Sequence, residues 1–286
     1  MIVKKSKSNN LRSWTLKDGT VNPLFYKIKD RFPIPTRQYF AGIWDGDGYQ
    51  RNEQRPNRVK KAFGLCLEMA QNGCEPVLML SKIFDLTLRY VKREGEKYKN
   101  YQATYSVNLG GPKGEMFMLL IYPYLIENKK IMREILLARG CPESMLQEQL
   151  TFSWAYLAGY ADAEGHYGMK LRHEKQKRKN GYGICSYYAF YFILTSNDFT
   201  SLTFIKNKII GKGFKFNKDR IKSRGGQKVQ EGRDPEKWNP TLDITMGGGA
   251  QQLSKFYKNF YHYSLIKKKR KAMEKTIAYN QIIHRP

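Results

Sequence analysis

The sequence predicts an α+β fold made of two similar halves. Three observations predict it: a ten-residue pattern that occurs twice, a like succession of helical and extended segments after each copy, and enough apolar material for a core. The pattern reads YFAGIWDGDG over 39–48 and YLAGYADAEG over 156–165, an offset of 117 residues. Hydrophobic residues make up 41% and aromatics 14% of the 286 residues, which excludes intrinsic disorder for most of the chain. That length accommodates one large domain or two closely packed ones. A duplicated half-domain is the simplest account of the repeat.

Each half reads α-β-β-α-β-β-α. After the helix of the first copy come an extended stretch near 58–69 and an apolar helical run over 76–88. Extended segments at 89–94 and 102–109 precede a long helical stretch over 114–138. After the second copy, 183–195 is rich in Tyr, Phe and Ile, as strands prefer. Asn197 or Asp198 caps a helix that ends at Ile210. Extended segments near 213–222 and 241–246 lead to helices that run to the C-terminus. The resulting divisions are an N-terminal extension over 1–35, a first half over 36–139, a linker over 140–150 and a second half over 151–286. Gly140 and Pro142 stop the helix at that linker. Residues 225–240 form a polar insertion, either a disordered loop or a nucleic-acid contact. Residues 94–97 read as a charged hairpin. Gly247–Gly249 read as a strand-to-helix turn, because no Lys-Ser/Thr pair follows as in a phosphate loop.

The charge narrows the partner. With 51 Lys and Arg against 25 Asp and Glu, the chain carries a formal +26. Such a surplus repels itself and suits a polyanion, either nucleic acid or an anionic membrane. No run approaches the roughly 18 apolar residues of a spanning helix, and the first residues lack the apolar core of a signal peptide. Nucleic acid is therefore expected, and no membrane. Residues 1–150 carry a net +10 and residues 151–286 a net +16, so the basic surface runs across both halves. Lys170 and Arg172 alternate with Met169 and Leu171, which puts charge on one sheet face. Arg51, Arg55, Arg58 and Lys60 do the same in the first half. Between Lys212 and Arg233 stand eight basic residues, among them Lys215, Arg220, Lys222 and Arg224, against Asp219 and Glu231. Arginine can read base edges in the major groove, while lysine mostly meets phosphate. The basic run Lys267–Lys271 fits a solvated face and a phosphate contact equally well. Cys66, Cys74, Cys141 and Cys185 are scattered without a close pair, as reduced thiols are and zinc or disulfide frameworks are not.

The repeat carries the chemistry. Gly42 and Gly46 are four residues apart, as are Gly159 and Ala163, so each helix has a smooth face along which the other can approach closely. Gly48 and Gly165 stand where left-handed C-caps are expected. Asp47 and Glu164 come just before them. With the helices packed in parallel, both carboxylates project from one end, where the helix dipole disfavours anions. A divalent cation removes that penalty. Hard oxygen ligands with room for water suit Mg²⁺, and such a site activates water and stabilises the leaving oxygen of a phosphodiester.

The two copies resemble the LAGLIDADG motif of homing endonucleases, and their presence in one chain resembles the single-chain, pseudo-dimeric members. The resemblance covers roughly 36–280. It implies two pseudo-symmetric halves, each with an antiparallel four-stranded, saddle-shaped sheet that follows the DNA major groove. It implies Asp47 and Glu164 as the catalytic, metal-binding acids, with Gly46 and Ala163 beside them at the metal. Asp45 and Asp162 take a mainly structural role. It further implies Mg²⁺ as cofactor, Mn²⁺ as an alternative, and Ca²⁺ supporting binding without cleavage. The expected reaction hydrolyses both strands of a long asymmetric duplex site, leaves short 3′ overhangs and initiates intron or mobile-element insertion, by a monomer. A non-cleaving binder of intron RNA, a maturase, is the competing class. Both acids being intact favours the enzyme.

The sequence departs from the family pattern in three places. Trp44 is bulky at a helix-interface position, which implies asymmetric packing. Glu164 stands for the more frequent Asp. The basic residue expected near the end of the last strand is absent at Leu109 and Met246; Lys113 is the substitute assigned to the catalytic set, with Gln251 a further option. A chain starting at Met1 without a splice nucleophile, and ending His284-Arg285-Pro286, speaks against an intein. The abundance of Lys, Tyr, Phe, Ile and Asn suggests AT-rich coding DNA and through it a chloroplast or mitochondrion. Target and host stay open.

Overall fold

The computed structural model describes residues 23–53, 62–92, 102–146, 152–178, 181–216, 220–222, 241–246 and 250–283. The basic positions Arg55, Arg58, Lys60 and Arg224, the insertion at 225–240, the hairpin at 94–97 and the turn at 247–249 lie outside them.

Helix α1 (Pro23–Arg31) seats Ile28 in the core, and Phe32 just past its end is buried there too. The buried Arg37 ties its end down, Nε donating to the Phe32 carbonyl at 2.5 Å and Nη2 to that of Lys29 at 2.7 Å. These bonds satisfy carbonyls that a helix end leaves without partners. The first pattern copy lies in α2 (Ile34–Asp47). It leads into β1 (Tyr49–Glu53), β2 (Ala62–Ala70), α3 (Glu75–Phe84), β3 (Leu88–Val91), β4 (Thr104–Gly110) and α4 (Gly111–Ile121). A short 3-10 turn at Tyr122–Tyr124 separates α4 from α5 (Lys129–Ala138). The second copy lies in α6 (Trp154–Glu164), whose Ser153 cap accepts from the Tyr156 amide at 3.0 Å. There follow β5 (Gly165–Arg178), β6 (Gly181–Ser196), α7 (Phe199–Ile210), β7 (Arg220–Lys222), β8 (Thr241–Met246), α8 (Ala250–Tyr257) and α9 (Lys267–Ile283).

Each half contributes one four-stranded antiparallel sheet, in the orders β1-β2-β4-β3 and β5-β6-β8-β7. The same strand order therefore recurs. Side chains alternate across each sheet. Leu65, Leu67, Val107 and Leu109 pair on the buried face of the first, while Glu68 points the other way and accepts a bond from Thr104 Oγ1 at 2.8 Å. In the second, Phe190 and Phe192 face the core, where the Phe190 ring meets Tyr279 of α9 with centroids 5.1 Å apart. Lys170 and Arg172 take the opposite, exposed face, as their alternation with Met169 and Leu171 predicts. Met169 and Leu171 are also exposed, because the β5–β6 hairpin outruns the core.

Three local expectations are corrected. The helical stretch over 114–138 is two helices: Pro123 has no amide to continue α4, and Asp45 captures the amides of Ile126 and Asn128. Gly48 and Gly165 are not left-handed caps. Their φ/ψ values of −72°/133° and −85°/137° are extended, because the chain runs from helix into strand without reversing. Glycine is needed for space: a Cβ on Gly48 would sit 2.6 Å from the Trp44 carbonyl oxygen, and one on Gly165 would sit 2.9 Å from Ala161 Cα. Finally, Trp44 turns into the core of its own half, edge-on to Phe117 at 5.3 Å.

Asp198 is the N-cap of α7, bonding the amides of Thr200 and Ser201. Cys66, Cys74 and Cys141 are buried free thiols. No helix among the described residues is long and apolar enough to cross a membrane.

Candidate active site

The small residues of the repeat bring α2 and α6 into backbone contact, side by side and in parallel. A Cβ on Gly42 would overlap the Tyr156 carbonyl and lie 2.6 Å from the Tyr160 amide. A Cβ on Gly159 would overlap the Tyr39 carbonyl and lie 2.9 Å from the Ile43 amide. Further along, Gly46 faces Ala163. The contact thus advances in the same direction on both helices.

Two reciprocal hydrogen bonds lock the pair. Tyr39 Oη donates to Asp162 Oδ2 at 2.7 Å, and Tyr156 Oη donates to Asp45 Oδ2 at 2.8 Å. Each aspartate also fastens the loop ahead of a later helix. Asp45 accepts from Ile126 and Asn128 ahead of α5, both at 2.8 Å. Asp162 accepts from Leu265 at 2.9 Å, Ile266 at 3.3 Å and Ser264 Oγ at 2.7 Å ahead of α9. Burial pushes both carboxyls above their ordinary range, and these donors pull back. Their observed work is structural, the role the resemblance implies.

The two acids at the helix ends face each other. Glu164 Cγ lies only 3.2 Å from where a Cβ on Gly46 would stand, so the Glu164 side chain folds across the end of α2. Desolvation, followed by the charge of Asp47, pushes the Glu164 carboxyl up to about 7. Asp47 reaches solvent, yet enough protein surrounds its carboxylate that desolvation raises it too. The opposing influence on both is Lys269, from the first turn of α9. Its ammonium donates to the carbonyls of Ala161 at 2.9 Å and Asp162 at 2.5 Å, capping α6 where the helix dipole is negative. It also lies over the Tyr167 ring, 5.7 Å from the centroid. Burial lowers its pKa, against the pull of Asp162, Asp47 and Glu164.

The structure brings Asp47, Glu164, Gly46 and Ala163 together. It does not bring Lys113, which donates to the carbonyl of Asp85 past the end of α3 at 2.8 Å. Arg51 lies in β1, and Arg220 and Lys222 lie in β7. Lys215 is exposed in the segment after α7, its carbonyl accepting from Gln252 Nε2 at 2.9 Å. The sequence reading missed Lys269, which was buried in a run of five basic residues. It also missed the Tyr39–Tyr156 pair, although both tyrosines open the ten-residue pattern. Glu127 was missed as well. It is half-buried, its Oε2 accepts from Tyr160 Oη at 3.5 Å, and burial together with Asp45, Asp198 and Glu164 pushes it up to about 7.

The donor set fits a hard divalent cation that keeps most of its water. Two carboxylates are at hand. Among the described residues no group of three or more His, Cys, Asp or Glu side chains is arranged to hold a metal. Mg²⁺ accepts such a sparse set when water and phosphate oxygens complete it.

Comparison with known proteins gives no matching family model and no matching curated protein. Solved structures do match. The meganuclease I-SmaMI bound to uncleavable DNA has 14% identity and a TM-score of 0.54, covering 86% of this chain and 89% of that one. The LAGLIDADG meganuclease I-AabMI bound to uncleaved DNA has 11% identity and a TM-score of 0.56, covering 86% and 91%. The I-LtrWI LAGLIDADG homing endonuclease bound to target DNA has 14% identity and a TM-score of 0.56, covering 87% and 91%. The fold is that of the LAGLIDADG homing endonucleases. Within the LAGLIDADG fold, α2 and α6 are this chain's motif helices, and Asp47 and Glu164 are their terminal acids.

Proposed function

We propose that the chain is a sequence-specific DNA endonuclease that hydrolyses both strands of a long, asymmetric duplex site as a monomer, leaves short 3′ overhangs and so initiates insertion of a mobile element. The observation that carries this is the pair Asp47 and Glu164, pressed together at parallel helix ends with Lys269 beside them. Two carboxylates forced into mutual repulsion are costly to a protein that only binds. They suit a nuclease. The I-SmaMI, I-AabMI and I-LtrWI structures, each bound to DNA, support the same substrate class.

In this mechanism Asp47 and Glu164 would hold Mg²⁺, with Mn²⁺ as a substitute. The ion would supply water activation and charge stabilisation for the phosphodiester. Asp45, Asp162 and the tyrosines they bind fix the two helices, so the acids keep their spacing while DNA is bound. Lys269 offsets negative charge gathering on the phosphate. The two sheets act as concave saddles about a pseudo-twofold axis along α2 and α6, with Lys170 and Arg172 on the surface offered to DNA. The halves meet through α2 and α6, with 140–150 assigned as the linker between them.

The test selects cleaved duplexes from a randomised library in Mg²⁺, then repeats binding in Ca²⁺. Cutting in Mg²⁺ with binding alone in Ca²⁺ is expected. Asp47→Asn and Glu164→Gln should each lower the cleavage rate by roughly 10³-fold or more while duplex affinity in Ca²⁺ changes little. Full cleavage by either variant would overturn the site. Binding without cutting by the parent protein would favour a non-cleaving binder, with folded intron RNA as the next ligand.

A further inference from the structure

Beyond the motif helices, the two halves place one long side chain on different strands. Arg51 of β1 and Gly168 of β5 are each the fourth residue after the terminal acid of their helix. Arg51 stands in register with Gly64 of β2, and Gly168 with Tyr191 of β6. Each pair thus joins a glycine to a large residue, but the glycine is on β2 in the first half and on β5 in the second. Alternation puts both pairs on the sheet face turned away from the core, because Leu65 and Phe192, next to Gly64 and Tyr191 in sequence, are buried in it. The exposed Lys170 shares that face, two residues after Gly168.

Gly168 makes room for Tyr191. A Cβ at that glycine would lie 3.1 Å from Tyr191 Oη and 3.4 Å from its Cζ, so the phenol end rests across β5. The backbone beneath it is fixed from the core side, where Tyr257 Oη of α8 donates to the Tyr191 carbonyl at 3.1 Å. Ala189 and Ile193, both half-buried, stand on either side of Tyr191 along the same face of β6. The second sheet therefore offers a half-buried phenol within an apolar strip. At the matching place in the first sheet, Gly64 is paired with Gly110 of β4. Two adjacent glycines leave a bare floor beside position 51.

We infer that Tyr191 is a specificity-determining residue, and that the two half-sites differ at the base pair this register reaches: G·C opposite Arg51 and A·T opposite Tyr191. The inference rests on the DNA endonuclease reading above and deepens it. In the major groove an arginine pairs bidentately with O6 and N7 of guanine. Thymine offers a methyl group for apolar contact and O4 as a single acceptor. A phenol beside Ala189 and Ile193 covers the methyl and has one O–H to give, which cannot satisfy both guanine acceptors. Because Arg51 and Gly168 are equally far from their acids, the two base pairs lie at equal distances on opposite sides of the cleavage centre. The asymmetry of the target is thereby written in the strands, at a step where the helices before them are still alike.

The experiment uses the full chain and a randomised duplex library, selecting bound duplexes in Ca²⁺ and, separately, cleaved duplexes in Mg²⁺. Arg51→Ala should erase a guanine preference of roughly tenfold at one base pair. Tyr191→Arg should turn the base pair at the same distance across the centre from A·T to G·C, again by roughly tenfold, with the other positions unchanged. A merely structural role for Tyr191 would lower affinity for every sequence alike. Gly168→Ala is the milder variant, for use if Tyr191→Arg does not fold: its methyl group displaces the phenol and should weaken the A·T preference. Melting temperatures establish which variants are folded. A folded Tyr191→Arg with the parent's preference at every base pair, or with a change at a pair not equidistant from the centre, overturns the inference and leaves the nuclease intact. Selective binding without cutting removes the hydrolysis, and the Ca²⁺ selection then decides the inference by the same two outcomes. Neither binding nor cutting of any duplex overturns the DNA reading and this inference with it.

Discussion

The helix interface and the outer faces of the two sheets have diverged to very different extents. At the interface, Tyr39 bonds Asp162 while Tyr156 bonds Asp45, and Gly42 and Gly159 each admit the partner's backbone. The tyrosine–aspartate bond and the close-approach glycine of one helix are each answered on the other. On the sheets the answer is only partial: the 117-residue offset sets Lys170 against Glu53 but Arg172 against Arg55, and β2 adds Glu68 bonded to Thr104. Backbone contact leaves few tolerated side chains, so duplication is preserved where packing is closest. An exposed sheet face is under no such packing constraint and is free to differ.

Breaking the interface should produce the largest effect. Gly42→Ala and Gly159→Ala each place a methyl group against backbone that has no room to yield, with Tyr160 N at 2.6 Å in one case and Ile43 N at 2.9 Å in the other. Overpacking typically costs about 1–3 kcal/mol and more against rigid backbone, so each variant should lose roughly 3 kcal/mol or fail to fold. The two losses should match, because the contacts mirror each other. Gly46→Ala meets side chains instead, Ala163 Cβ and Glu164 Cγ. It should cost less stability but displace Glu164 and slow cleavage. Chemical denaturation of the three variants measures this. Parent-like stability in Gly42→Ala would mean the helices are not held this closely.

How much of this was legible beforehand follows the same division. The motif helices, their parallel packing and the terminal acids could be read because the repeat writes them twice with a fixed offset. A cap at Asn197 or Asp198 and a strand over 183–195 followed from local residue preference, and the structure has the cap at Asp198 and the strand at Gly181–Ser196. Lys269 could not be singled out within Lys267–Lys271. What selects it is Asp162 gripping the amides of Leu265 and Ile266, which sets the first turn of α9 on the end of α6. That is a contact across more than a hundred residues. Gly48 and Gly165 were recognised as necessary glycines for the wrong reason: position after a helix suggested a left-handed cap, and the cause is crowding by the helix's own carbonyl.

A smaller effect should appear where the interface itself departs from the repeat, at Glu127. Glu127 and Glu164 both have carboxyls raised from 4.5 to about 7. Between those values the folded protein keeps protons that the unfolded chain has released. Stability therefore falls as pH rises from about 4.5 to about 7, and is level outside that window. Both carboxyls are partly exposed, so solvent screening keeps the loss to about 1 kcal/mol for each. In metal-free buffer the melting temperature should drop by several degrees between pH 5 and 7.5, after other titrations common to both proteins are subtracted. Glu127→Gln should flatten that slope while leaving Asp47 and its partner in place. Superimposable slopes for parent and variant would place Glu127 in a more open setting than its acidic neighbours imply.

The smallest effects should come from the sheet faces, and they bear most directly on why the halves differ. Lys170→Ala and Arg172→Ala should each weaken duplex binding in Ca²⁺ by about 1 kcal/mol, close to fivefold, and reduce the salt dependence by about one counterion apiece. Glu68→Gln on the first sheet should do the opposite, tightening binding by about twofold as a like charge leaves the DNA surface, with the Thr104 bond retained through the amide oxygen. Fluorescence anisotropy over a range of salt concentrations separates these outcomes. If lysine, arginine and glutamate substitutions all lower affinity by the same factor without changing the salt slope, the faces that bear them do not meet phosphate. The unequal charge of the two sheets would then belong to solubility rather than to recognition.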